Sequence, residues 1–167
     1  MPDDRSIART IDRTYRVRGK QVHLRELPDV AAVREPRGTP IEARTLSSIA
    51  PDAALSHVRA FEQAGWTFVP RQQAADGAKV YLRPNGRVAL GTNRLTVRIA
   101  PELSEPEARN LLEGEGFTVV QQLRMAPNVF VVAAPEGHDS VEAVGRLTVP
   151  DKVEFAEPEL IEMIAGR

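Results

Sequence analysis

Arg94-Leu-Thr-Val-Arg-Ile99, followed by Ser104-Glu-Pro-Glu-Ala-Arg-Asn-Leu-Leu112 and Gly116-Phe-Thr-Val-Val120, is the stretch on which the fold turns. Leu95, Val97 and Ile99 alternate with Arg94, Thr96 and Arg98, the period of two that belongs to a strand with one buried face. Ser104 and Glu107 stand at capping-box spacing, and Ala108, Leu111 and Leu112 form the apolar stripe of the helix they begin. Gly116 stops that helix. Further on, Phe117 to Leu123 and Asn128 to Ala134 are β-rich runs separated by Arg124-Met-Ala-Pro127, a hairpin with a longer loop. Asp139 to Glu142 repeats the capping spacing, and Val141, Val144 and Leu147 share a face until Pro150 forbids continuation. Val153-Glu-Phe-Ala156 is the last strand. The order βαββαβ predicts an α+β, ferredoxin-like domain, one sheet with two helices on one face and the other face uncovered.

Toward the N-terminus the pattern partly repeats. Val30-Ala-Ala-Val33, a helix from about Asp52 to Ala64 with Leu55, Val58 and Phe61 on one face, then Trp66-Thr-Phe-Val69 and Lys79-Val-Tyr-Leu82 read βαββ. Ala64-Gly-Trp-Thr-Phe-Val69 matches Glu115-Gly-Phe-Thr-Val-Val120 in letters as well as pattern, a degenerate internal repeat. Tyr15-Arg-Val-Arg18 and Gln21-Val-His-Leu24 flank Gly19-Lys20 as a tight hairpin, and Asn85-Gly86 signals a type I′ turn. Residues 35–50 read as a loop. The expected organisation is an N-terminal arm at 1–14, a β-rich α+β domain at 15–93, a ferredoxin-like domain at 94–158 and a tail at 159–167.

Composition narrows the function classes. Of the 167 residues 42% are hydrophobic and 27% charged, with no Cys, so disulfides and thiolate metal sites are excluded. His23, His57 and His138 are too scattered for a local metal motif, and nothing calls for a cofactor. Residues 1–93 hold 15 Lys/Arg against 10 Asp/Glu, residues 94–167 hold 7 against 13, and the acidic half does not suit nucleic acid. Strand 128–134 offers Phe130 as its one aromatic residue and strand 94–99 offers none, so the stacking platform of an RNA-binding sheet is missing. The longest apolar run, Val129 to Ala134, is far too short to cross a bilayer, and the polar N-terminus as given reads as cytoplasmic.

Catalytic constellations are weak. His138-Asp139-Ser140 sets three triad residue types side by side, but a triad must converge from separate elements, and a loop end followed by a helix cap accounts for all three. Glu113 and Glu115 beside Gly114 and Gly116 read as a solvated helix end, not a phosphate loop. His57 and His23 read as satisfied or surface histidines. The expectation is a protein without enzymatic activity.

Asn93-Arg-Leu-Thr-Val-Arg-Ile-Ala-Pro101, the helix Ser104–Leu112, Ala126-Pro-Asn-Val-Phe-Val-Val132 and above all Pro150-Asp-Lys-Val-Glu-Phe-Ala-Glu-Pro158 resemble the propeptides of bacterial subtilisin-like serine proteases, particularly the fervidolysin-like kind. The resemblance spans about residues 94–162, and residues 15–93 look like an extra N-terminal segment. It implies an intramolecular chaperone and inhibitor that keeps a zymogen silent, its sheet packed on two helices of the protease and its C-terminal tail in the active-site cleft. Glu157 and Pro158 would then enter the contact, and Ile164, Ala165, Gly166 and Arg167 would fill successive subsites, with Ile164 in an apolar one. The protease's own Asp-Ser/Thr-Gly, His-Gly-Thr-His and Gly-Thr-Ser-x-Ala segments do not occur in this chain, so the catalytic domain would be a partner in cis or in trans. A stand-alone interaction module or a trans-acting protease inhibitor fits the same residues.

Overall fold

The computed structural model describes residues 9–35, 38–42, 45–46, 54–147 and 152–163. The chain is mixed α+β and forms two compact units, neither of them continuous in sequence. Of the described residues, 9–13, 23–90 and 160–163 form the first unit, and 14–22 and 91–159 the second. The sequence places its boundary at 93/94; the contacts place it at Leu90/Gly91 and exchange two terminal pieces between the units.

Strands β1 (Ile11–Val17) and β2 (Lys20–Val33) are neighbours joined by Arg18-Gly19, with φ values of 53° and 81°. Two positive values in succession make this the two-residue type I′ connection, one residue earlier than the sequence suggests. β2 is a single strand of 14 residues where the pattern reads two. Its register on β4 (Ala78–Leu82) jumps from Leu27↔Val80 to Ala31↔Lys79, so Pro28, Asp29 and Val30 bulge out. Pro28 has no N–H to give the ladder, which is why the interruption falls there.

In the first unit β2 pairs antiparallel with both β3 (Thr67–Pro70) and β4, and β4 pairs with the start of β5 (Val88–Ile99). The β4–β5 turn differs from the expected type I′. The Gly86 N–H donates to Arg83 O at 2.8 Å, and only Gly86 among the turn residues has positive φ, 84°. Pro84 fixes the first central residue near −65°, which selects a type I turn with the glycine as its left-handed exit. Helix α1 (Ala54–Gln63) buries Val58 and Phe61 against Leu27, Val30, Phe68, Val80 and Leu90. Asp52 and Ala53 lie outside the described residues. Arg71, in a 3-10 turn after β3, donates to the carbonyls of Gly77 (2.7 Å), Val30 (3.0 Å), Ala75 (3.1 Å) and Ala78 (3.2 Å). Glu26 is 4% exposed and is held by Arg13 Nε at 3.0 Å, with Lys79 Nζ at 3.8 Å.

In the second unit the later part of β5 pairs antiparallel with β7 (Val129–Ala133), with Leu95↔Val132 and Val97↔Phe130, and β7 pairs with β6 (Thr118–Gln122). β8 (Val153–Glu162) lies on the other side of β5. The Ala100 N–H bond to Lys152 O (2.8 Å) and the Thr92 Oγ1 bond to Glu159 O (2.7 Å) show that this pair is antiparallel too. The strand order is therefore β8-β5-β7-β6. Helix α2 (Glu105–Gly114) starts on the predicted capping box: Ser104 Oγ accepts from the Glu107 N–H, and the Ser104 N–H donates to Glu107 Oε1, both at 3.3 Å. The expected second helix is shorter than its pattern. Asp139 caps a single turn, α3 (Ser140–Ala143), which tightens to 3-10 over Val144–Leu147. Two β-branched valines and Gly145 are poor α-formers, so the segment closes on tighter bonds while still burying Val144 and Leu147.

Candidate protein-binding surface

Leu95, Val97, Phe130 and Val132 point to the helix side of the second unit, where they pack with Ala108, Leu112, Phe117 and Leu147. Alternation sends Arg94, Thr96 and Arg98 to the opposite face, and the register sets them across from Ala133, Val131 and Val129. On β6 the register slips between Val119 and Gln121, and the extra residue, Val120, stands 44% exposed. Arg98 reaches Glu154 of β8, Nε to Oε2 3.2 Å. The result is a mixed face: half-buried Thr96, Val131 and Ala133 with the buried Val129 in the middle and charges toward the β8 side, while among the described residues of the unit the helices pack on the opposite face. Such a composition suits a protein partner, with apolar area for affinity and charges for register.

β8 runs through Glu157 and Pro158 and ends at Glu162, six residues beyond the last strand residue that the sequence pattern marks. Glu157 projects into solvent, whereas Pro158 is buried. A proline costs no ladder bond on a strand with a single neighbour, and β8 pairs with β5 alone among the described strands. Glu159 is exposed with its carbonyl held by Thr92. Ile164, Ala165, Gly166 and Arg167 lie outside the described residues, so of the six candidate contact residues the structure locates Glu157 and Pro158.

The His138-Asp139-Ser140 triplet does not converge. Asp139 Oδ1 accepts from the Glu142 N–H at 3.0 Å as a helix cap, His138 lies 3.9 Å from Glu142 and 3.4 Å from Arg146, and the Ser140 hydroxyl is fully buried. His57 is also buried, at 5% exposure, so it is not a surface histidine. Met125, fully exposed at the tip of the β6–β7 loop, is a feature that the sequence reading passes over. Its signal was a long apolar side chain inside the short loop Arg124-Met-Ala-Pro127. Beside that loop, Ile99, Leu103, Ala108, Pro127 and Phe130 line a pocket of about 250 Å³ at the start of α2.

No protein-family model matches the chain, and no curated protein matches it. Among solved structures a match is a chain of the complex of Aeromonas sobria serine protease with the chaperone ORF2, covering 92% of this chain and 98% of that one, at 14% identity and a TM-score of 0.35. At that TM-score the two backbones share little of their detailed course, and nothing about binding follows from it.

Proposed function

We propose that this protein is a propeptide-like chaperone and inhibitor of a subtilisin-like serine protease, without catalytic activity of its own. The observation that carries the reading is the second unit's strand order β8-β5-β7-β6, all antiparallel, with α2 and α3 on one face. Numbered from β5 this is 4-1-3-2, the order of the split βαβ or ferredoxin-like unit, and the residues that resemble subtilisin propeptides map onto its strands and first helix. The open face around Thr96 and Val131 would lie on the protease, and exposed carboxylates such as Glu157 would meet helix N-termini, where unpaired N–H groups favour negative charge. Residues after Met163 would enter the cleft as an added strand, main chain supplying affinity and side chains selectivity.

The test is slow-binding inhibition of a subtilisin-class protease by the purified chain. Deleting residues 164–167 leaves β8 whole, unlike a cut at Pro158, and is expected to weaken inhibition at least tenfold. Val131→Glu on the open face is expected to weaken complex formation without lowering the melting temperature by more than a few degrees. Inhibition unchanged by the deletion would sink the cleft-filling mechanism. Indifference of the protease to the intact chain would move the assignment to an interaction module with another partner.

A further inference from the structure

β8 changes allegiance along its length: its residues up to Glu159 belong to the second unit, and Leu160 to Met163 to the first. In the first unit this end is held at three successive residues. Ile161 and Met163 are half-buried against the apolar cluster that contains Phe61, Phe68 and Leu90. Between them Glu162 takes the Arg83 guanidinium in a fork, Nε to Oε1 and Nη2 to Oε2, the latter at 3.2 Å. Arg83 is itself fixed at its backbone, since it opens the Pro84-Asn85 turn and its N–H donates to Arg87 O at 2.8 Å. A bidentate pair flanked by two apolar contacts restricts direction as well as position, which a single ion pair does not.

We infer that the first unit is a holder for residues 160–163, with Arg83, Ile161 and Met163 as positioning residues that fix where the segment after Met163 starts. The inference rests on the protease-binding reading and assigns the N-terminal half a part in it. A segment whose root is already ordered loses less freedom on entering a cleft, so holding the root raises affinity without adding a contact to the partner.

The test uses the full chain and two readouts. Amide hydrogen exchange at residues 160–163 is expected to rise about fivefold in Arg83→Glu and to return to the original rate in the double variant Arg83→Glu/Glu162→Arg, the size set by a partly exposed bidentate pair. Exchange at Val80 and Leu90 serves as control and stays unchanged. Inhibition of a subtilisin-class protease is expected to weaken by a similar factor in the single variant and to recover in the double one. Unchanged exchange at 160–163 would overturn the hold. Raised exchange with undiminished inhibition would overturn the positioning role. Should the unmodified chain fail to inhibit, the protease reading falls, the positioning role falls with it, and the exchange data alone decide whether the hold exists.

Discussion

Arg71 offers the sharpest quantitative test of how the first unit is built. Its guanidinium donates to four backbone carbonyls, and three of those bonds, to Gly77, Val30 and Ala78, are partly buried at 2.7–3.2 Å. Hydrogen bonds from a charged donor contribute about 1.5–3 kcal/mol each, but bonds sharing one donor group are not additive. Arg71→Met keeps most of the aliphatic stem and removes every donor, for an expected cost of about 3 kcal/mol, lowered from the simple sum because freed carbonyls regain water. Arg71→Lys retains the charge but not the planar fork, so about 2 kcal/mol should still be lost. The assay is urea unfolding followed by the fluorescence of Trp66, the one tryptophan of the chain, which packs on the first unit's core under the Arg34 guanidinium at 4.8 Å. A loss below about 1 kcal/mol for Arg71→Met, or a lysine variant as stable as the original, would refute the claim that the fork ties β2, the 3-10 turn and β4 together.

Leu112, with no exposed surface, sits in the second unit's core, and Leu112→Ala should cost about 2–5 kcal/mol in a denaturation monitored by circular dichroism. Ser104→Ala removes a capping box and should cost about 1 kcal/mol in the same assay, with Asp at this position close to neutral. Gly65 and Gly116 separate conformational from steric cost: both have positive φ, 97° and 92°, but a Cβ at Gly65 meets nothing within 4 Å, whereas one at Gly116 lies 3.1 Å from Pro135 Cγ. Gly65→Ala should therefore cost about 1 kcal/mol, the left-handed penalty alone, and Gly116→Ala measurably more in the same unfolding series.

Those two glycines also show how far the letters reach. Each ends a helix identically: the Trp66 N–H donates to Phe61 O and the Phe117 N–H to Leu112 O, both at 3.0 Å, while the Gly65 and Gly116 N–H groups reach back to Glu62 and Glu113. The matched hexapeptides thus encode one Schellman ending used twice, with an aromatic residue following each glycine. Beyond it the halves diverge, since β3 pairs with β2 whereas β6 pairs with β7. Pairing partners depend on contacts far apart in sequence, which a local repeat does not specify. The strand alternation of Leu95–Ile99 and the Ser104 cap were legible because each rests on a few consecutive residues. The union of two β-runs into β2 was not, because Pro28 reads as a breaker until a bulge absorbs it. The burial of Glu26 was hidden for a related reason: its neutralising partners, Arg13 and Lys79, come from strands whose proximity no window of sequence contains. Of the candidate surface, the outward set Arg94, Thr96 and Arg98 followed from alternation, but the continuation of β8 to Glu162 did not, since Pro158 reads as a strand breaker even though Glu157 and Glu159 keep the alternation around it.

The interleaved membership of the two units bears on how the chain is made. The second unit uses residues 14–22, which are synthesised before the first unit's residues 23–90, and the first awaits Leu160–Met163, which follow the second unit's residues 91–159. The first unit therefore cannot complete itself before the second has been synthesised, and folding of one unit after the other in N- to C-terminal order is denied to them. Ile161 and Met163 emerge about a hundred residues after Phe61 and Phe68, so the growing chain carries an apolar cluster short of these members until residue 163 has been made. Gene fragments cut at the 93/94 boundary would inherit the same deficit permanently, each lacking a piece that only the other half encodes.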